Sequence, residues 1–142
     1  MASMADLLIN IDVDDLEKGT DFYVRALGLR PGRRFGGSAI ELLGAPSPIY
    51  LLVKRSGTAP FAGAPSPRDY RRHWTPVHLD VAVGDLEAAV RRAESAGAKL
   101  EGQIQDLEWG RIATLADPFG HGLCILQFKG RGYDEIADGP SD

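Results

Sequence analysis

Ile9, Ile11 and Val13 alternate with Leu8, Asn10 and Asp12, a period of two that predicts a strand with one apolar face. Seventy residues on, Leu79, Val81 and Val83 repeat the pattern, with His78, Asp80 and Ala82 between them. A helical period follows each strand. Leu16, Tyr23, Ala26 and Leu27 form the stripe of a first helix, closed by Gly28; Leu86, Ala89, Val90 and Ala93 form that of a second, closed by Gly97. Arg91, Arg92 and Glu94 lie off the second stripe, as a solvated face requires. Asp14, with Glu17 three residues later, reads as a capping box for the first helix. The same offset of 70 matches Asp15-Leu16-Glu17 with Asp85-Leu86-Glu87, and one gap near the helix ends aligns the closing glycines. The chain is therefore built twice.

Short apolar runs follow each helix: residues 33–35, 39–43 and 49–54 in the first half, and 99–105, 111–116 and 123–128 in the second. Turn residues separate them, among them Gly36-Gly37, Gly44-Ala45-Pro46-Ser47-Pro48, Trp109-Gly110 and Asp117-Pro118-Phe119-Gly120. Each half reads strand, helix, strand, strand, strand. The expected organisation is one domain over 1–142, with a first βαβββ module at 5–54, a linker at 55–75, a second module at 76–129 and a tail at 130–142. Residues 56–67, rich in Gly, Ala, Pro and Ser, are expected to be the most mobile internal segment, because they offer little apolar area against ordering entropy. The Gly- and Asp-rich tail is expected to be an arm with a frayed end.

Composition narrows the function classes. Hydrophobic residues make up 44% and charged residues 25% of the 142, the balance of a soluble globular chain. Seventeen glycines and nine prolines agree with many short elements. Sixteen Lys and Arg against 20 Asp and Glu leave a net charge of −4, which argues against a general nucleic-acid binder. The start lacks a basic n-region and Asp6 interrupts it, and the central aliphatic run at 49–53 is far shorter than the ~20 residues a bilayer needs. A membrane partner is therefore not expected. The single cysteine, Cys124, sits in the run Leu123-Cys124-Ile125-Leu126, where it reads as a small buried hydrophobe of a reducing, cytoplasmic compartment.

The doubled pattern resembles the glyoxalase / bleomycin-resistance / dioxygenase superfamily, the vicinal oxygen chelate (VOC) proteins, from about residue 5 to residue 128. The resemblance rests on Val13-Asp14-Asp15-Leu16, Asp21-Phe22-Tyr23 and Leu27-Gly28-Leu29 in the first half. In the second it rests on Val77-His78-Leu79, Gly84-Asp85-Leu86, Gly97-Ala98 and Asp117-Pro118-Phe119-Gly120-His121. It implies an α+β fold in which two βαβββ modules place curved mixed sheets around a small-molecule cavity. Metal-using members carry one ligand on the first strand of each module and a carboxylate on a last strand. Those positions fall here on Leu8, His78, Tyr50 and Cys124. Leu8 has no donor atom and the set is poor for a hard divalent ion, so no metal and no other cofactor is expected, with His78 the only candidate at a family position.

The resemblance further implies a cavity lined by Leu8, Asn10, Tyr50, Leu52, His78, Asp80 and Cys124, mostly apolar with a few convergent polar groups. His78 and Asp80 stand two apart on one strand and so share a face, as an acid/base pair or as a rigidifying hydrogen bond. Trp74 and Trp109 are candidates for stacking an aromatic ligand, and Arg111 for pairing an anionic group or, alternatively, Asp106 or Glu108. Arg68, Arg71, Arg72 and His73 read as a solvated basic run, and His121 as an exposed structural residue in a turn. Three function classes stay open. The first is a small-molecule-binding protein for an apolar or aromatic compound. The second is a glyoxalase-like lyase, isomerase or dioxygenase, metal-free or with an unusual metal. The third is a non-catalytic structural or regulatory relative. A homodimer is expected, because two half-open sheets leave edges to cover and Tyr133 and Ile136 in the tail offer apolar groups to a partner or to their own module.

Overall fold

The computed structural model describes residues 5–139. The chain divides into two units, one ending at Arg71 and the other beginning at Arg72. Each is a βαβββ module with a four-stranded mixed sheet, so the α+β class and the internal repeat follow the sequence pattern.

In the first unit, β1 (Ile9–Val13) leads into α1 (Leu16–Leu27), followed by β2 (Arg30–Phe35), β3 (Ala39–Leu43) and β4 (Ile49–Val53). The helical crossover returns the chain parallel to its start, so β1 pairs with β4, and hairpins add β3 and β2 in the order β1-β4-β3-β2. The helix start lies one residue later than the capping box implied. Asp15 is the N-cap and its carboxylate accepts from the Lys18 amide at 3.0 Å. Gly28 ends the helix at φ 70°, a left-handed conformation that costs glycine little. The buried stripe is Leu16, Gly19, Phe22, Tyr23 and Ala26, so Phe22 takes the place expected of Leu27, its ring edge-on to Tyr23. α1 packs on β2, β3 and β4 over Ile40, Leu42, Ile49 and Leu51. Burying Phe22, Leu42 and Leu51 completely contributes about 1.5–3 kcal/mol each.

The second unit repeats this with β5 (Leu79–Ala82), α2 (Leu86–Ala96), β6 (Lys99–Leu107), β7 (Gly110–Ala116) and β8 (Gly122–Phe128), in the order β5-β8-β7-β6. Asp85 caps α2 through the Ala88 amide at 3.1 Å, the counterpart of Asp15. The stripe Leu86, Ala89, Val90 and Ala93 is buried as the periodicity requires. Both outer strands, β2 and β6, carry a register shift, between Pro31 and Arg34 and between Glu101 and Gln105.

The expected linker is divided by the boundary between the units. Two backbone hydrogen bonds close its Gly/Pro-rich part: the Gly57 amide donates to Arg68 O at 2.7 Å, and the Arg68 amide donates to Thr58 O at 2.8 Å. Arg68 is not a solvated cation: its Nε donates to Asp12 on β1 at 2.9 Å, and it also reaches Thr58 and Ala59. Arg72 and His73 belong to the second unit, bound to Glu101 and to the backbone of Gly120. Within the tail, a short 3-10 turn over Gly132–Glu135 folds Tyr133 onto Trp109 and Phe128 of its own module, with ring centroids at 4.9 Å from each. The end of the tail, 140–142, and residues 1–4 lie outside the described residues. Among the described residues, no helix is long and apolar enough to cross a membrane.

Candidate functional site

Strand pairing assembles the polar groups of the second module. The parallel register sets Asp80 of β5 beside Cys124 of β8, and the antiparallel register sets Cys124 beside Thr114 of β7. These residues share the face turned from α2, whose partners are Leu115, Leu123 and Ile125 on the opposite parity. His78 precedes β5 by one residue, and its Nε2 lies 3.0 Å from Asp80 Oδ1. When the neutral ring carries its hydrogen on Nε2, the atom nearest the carboxylate, Nδ1 presents a lone pair. The Trp74 ring lies against His78 with centroids 4.6 Å apart. Gly122 creates the seat for that indole: a Cβ there would lie 2.1 Å from Trp74 Cε3. Cys124 is 4% exposed and its thiol meets Thr114 Oγ1 at 3.7 Å. Burial pushes this thiol above its ordinary pKa, so it stays protonated near neutral pH.

The Trp74 strap is anchored beside this group. Arg72 donates to Glu101 at 2.7 and 2.5 Å, and its guanidinium lies 5.7 Å from the Trp74 ring centroid. His73 shares a hydrogen bond with His121 at 2.9 Å, so His121 is half-buried and partnered rather than free in its turn.

The first module carries a different polar cluster on the corresponding face. Asn10 pairs in register with Tyr50, and Tyr50 with Glu41. Glu41 is 7% exposed within an otherwise apolar strand. It accepts from Arg33 Nε at 3.2 Å, Arg33 Nη2 at 2.8 Å, the Arg33 amide at 3.0 Å and Tyr50 OH at 3.0 Å. Those hydrogen bonds, first the Arg33 side chain, hold its pKa down at about 2, against the cost of burial. Sequence reasoning selected Tyr50 but missed Glu41 and Arg33. The available signal was one carboxylate between Ile40 and Leu42, at the parity facing away from the helix.

Other expected site residues lie elsewhere. Arg111 has the parity of Ala113 and Leu115, so it stands on the α2 face and pairs with Glu87 at 2.5 Å, not with Asp106 or Glu108. Trp109 is committed to Phe128 and Tyr133 at the end of the β6–β7 hairpin. Leu8 precedes β1 and is exposed, Asn10 is exposed, and Leu52 is half-buried on the Tyr50 face.

The family's metal arrangement, with donors from both modules, does not fit these residues. Leu8 offers no donor, and the Tyr50 phenol is engaged by Glu41 and Arg33. The second module alone brings His78, Asp80 and Cys124 together, with one potential ligand atom from each lying within 4.8 Å of the others. That set mixes nitrogen, oxygen and sulfur donors, a poor match to a hard ion that prefers oxygen ligands.

Paired βαβββ modules with polar groups gathered on the sheet face away from the helix define the architecture of the VOC fold. A family model of the glyoxalase-like domain matches residues 8–126, and the chain belongs to that family, within the glyoxalase / bleomycin-resistance / dioxygenase superfamily. The anthracycline biosynthesis protein DnrV of Streptomyces peucetius is 31% identical over 136 residues, covering 94% of this chain and 44% of that protein. This chain thus spans less than half the length of that relative. An uncharacterized protein of Mycobacterium bovis is 32% identical over 112 residues, covering 77% of this chain and 74% of that protein. The fosfomycin resistance protein FosX of Listeria monocytogenes shares the fold with a TM-score of 0.68 at 15% identity, covering 96% of this chain and 99% of its own.

Proposed function

We propose that this chain is a small-molecule-binding VOC protein of the cytoplasm, acting as a homodimer and without a metal. It captures an apolar or aromatic compound, or performs acid/base chemistry on one, at the second module. The observation that carries this is the His78–Asp80 pair at 3.0 Å under the Trp74 ring. Asp80 fixes the imidazole orientation, Nδ1 is left to accept a proton or hydrogen bond from a ligand, and the indole supplies a flat apolar surface. Cys124 and Thr114 complete the face with a protonated thiol and a hydroxyl, neither a strong nucleophile in that state. The name of DnrV, an anthracycline biosynthesis protein, is consistent with a small organic ligand.

A second reading is a lyase, isomerase or dioxygenase using an unusual metal, favoured by the compact grouping of His78, Asp80 and Cys124. Elemental analysis combined with a thermal-shift screen separates the two. The first reading expects no stoichiometric metal and stabilisation by planar aromatic compounds, lost in His78→Ala. One equivalent of zinc, iron, manganese or nickel that disappears in His78→Ala would replace it with the second.

A further inference from the structure

We propose that Arg33 is an anion-binding residue of the first module. With Phe35 and Tyr50 it forms a site for a flat aromatic molecule bearing a carboxylate or a phosphate. The proposal goes beyond the His78 reading and rests on residues of the other module.

Local backbone chemistry builds the site. The register shift between Pro31 and Arg34 releases Arg33 from the regular ladder, and its amide donates to Glu41 Oε1 at 3.0 Å. Gly32, beside it, makes room for the carboxylate: a Cβ there would lie 2.6 Å from Glu41 Oε1. Glu41 therefore receives four hydrogen bonds, three of them from Arg33. The burial of the pair is one-sided. The Glu41 side chain is 9% exposed, whereas that of Arg33 is 67% exposed. The carboxylate anchors the guanidinium and the cation remains open to solvent.

The anchored edge is Nε and Nη2, and Nη2 also donates to Tyr50 OH at 3.1 Å. Among the described residues Nη1 has no partner, which leaves two N–H donors in a fixed plane. The guanidinium carbon lies 5.7 Å from the centroid of the Phe35 ring, which is 46% exposed and 6.4 Å from the ring of Tyr50. A cation with spare donors beside an exposed aromatic surface suits a ligand with an oxyanion at one end and a flat apolar body. Because Glu41 holds the fork in place, little side-chain entropy remains to be lost on binding. Glu41 also cancels the charge at a distance, so recognition acts at hydrogen-bonding range.

The test is calorimetric titration of the full chain with 2-naphthoate, 2-naphthyl phosphate and the uncharged 2-naphthalenemethanol. Arg33→Lys keeps the charge and lacks the fork; Glu41→Gln keeps the shape and loosens the anchor; both are checked for folding by circular dichroism. The expected result is that one or both anions bind more tightly than the alcohol, and that Arg33→Lys weakens anion binding by ~10-fold or more with the alcohol unchanged. Glu41→Gln is expected to weaken the anions in the same direction, and the tighter binding of the anions than of the alcohol to persist in His78→Ala. Equal affinity of Arg33→Lys and the native chain for both anions overturns the proposal, as does an absence of anion binding at millimolar probe. Loss of anion binding in His78→Ala with no effect of Arg33→Lys would assign binding to the second module and reject the Arg33 site alone.

Discussion

Glu41 shows how one buried carboxylate is kept charged. Its hydrogen bonds from Arg33 and Tyr50 outweigh desolvation and hold its pKa near 2, below the ordinary 4.5. Between these values the unfolded chain binds more protons at this group than the folded one does. The stabilisation is therefore complete above about pH 4.5 and is lost as pH falls through about 2. Urea denaturation from pH 6 to pH 2 should show the native midpoint falling more steeply than that of Glu41→Gln below about pH 4.5. Parallel curves for the two would remove Glu41 as a source of acid sensitivity. In strand register Thr114 stands where Glu41 does, and beside it the burial of Cys124 is not offset by a cation, so the thiol remains neutral.

The repeated elements use repeated physics. Asp15 and Asp85 each accept from the amide three residues ahead, at 3.0 and 3.1 Å, and satisfy one of the unpaired donors of a helix start. Replacing either by alanine should lower stability by about 1 kcal/mol, measured by urea denaturation. The double variant should lose close to the sum, because the two caps share no partner. A negligible change in either single variant would show that its helix start is held by packing alone. The capping box at Asp14 and Glu17 was one residue out of phase, since two adjacent aspartates compete for the N-cap and a strand's end does not mark its own last residue. In the linker, by contrast, composition masked a specific anchor: Arg68 reaches back to Asp12, a pairing across 56 residues that no local pattern encodes.

At the scale of the whole molecule, each sheet keeps two outer strands, β1 and β2 in the first and β5 and β6 in the second. Leu7, Leu8 and Val77, just before β1 and β5, are exposed apolar residues next to such edges. The proposed homodimer would cover edges of this kind. Light scattering at micromolar concentration should give a mass of about 30 kDa against 15.3 kDa for one chain, and a value near the latter refutes the dimer. Deleting residues 131–142 should leave that mass unchanged while lowering thermal stability, because Tyr133 packs on Trp109 and Phe128 of its own module. A fall in mass on deletion would tie the tail to assembly.

By itself the sequence determined the repeat, the α+β class, both helix stripes in outline and the sharing of a face by His78 and Asp80. Periodicity and local spacing suffice for these, since residues two apart on a strand, or three and four apart on a helix, are neighbours wherever the strand or helix forms. Tertiary structure decided the rest. Cys124 meets Asp80 only because β5 pairs parallel with β8 in that register. Arg33 reaches Glu41 only because β2 shifts register beside a glycine. Arg111 faces Glu87 rather than the polar cluster because the start of β7 fixes its parity. Register between strands far apart in the chain is set by packing of the whole sheet, and a shift of one residue exchanges the faces.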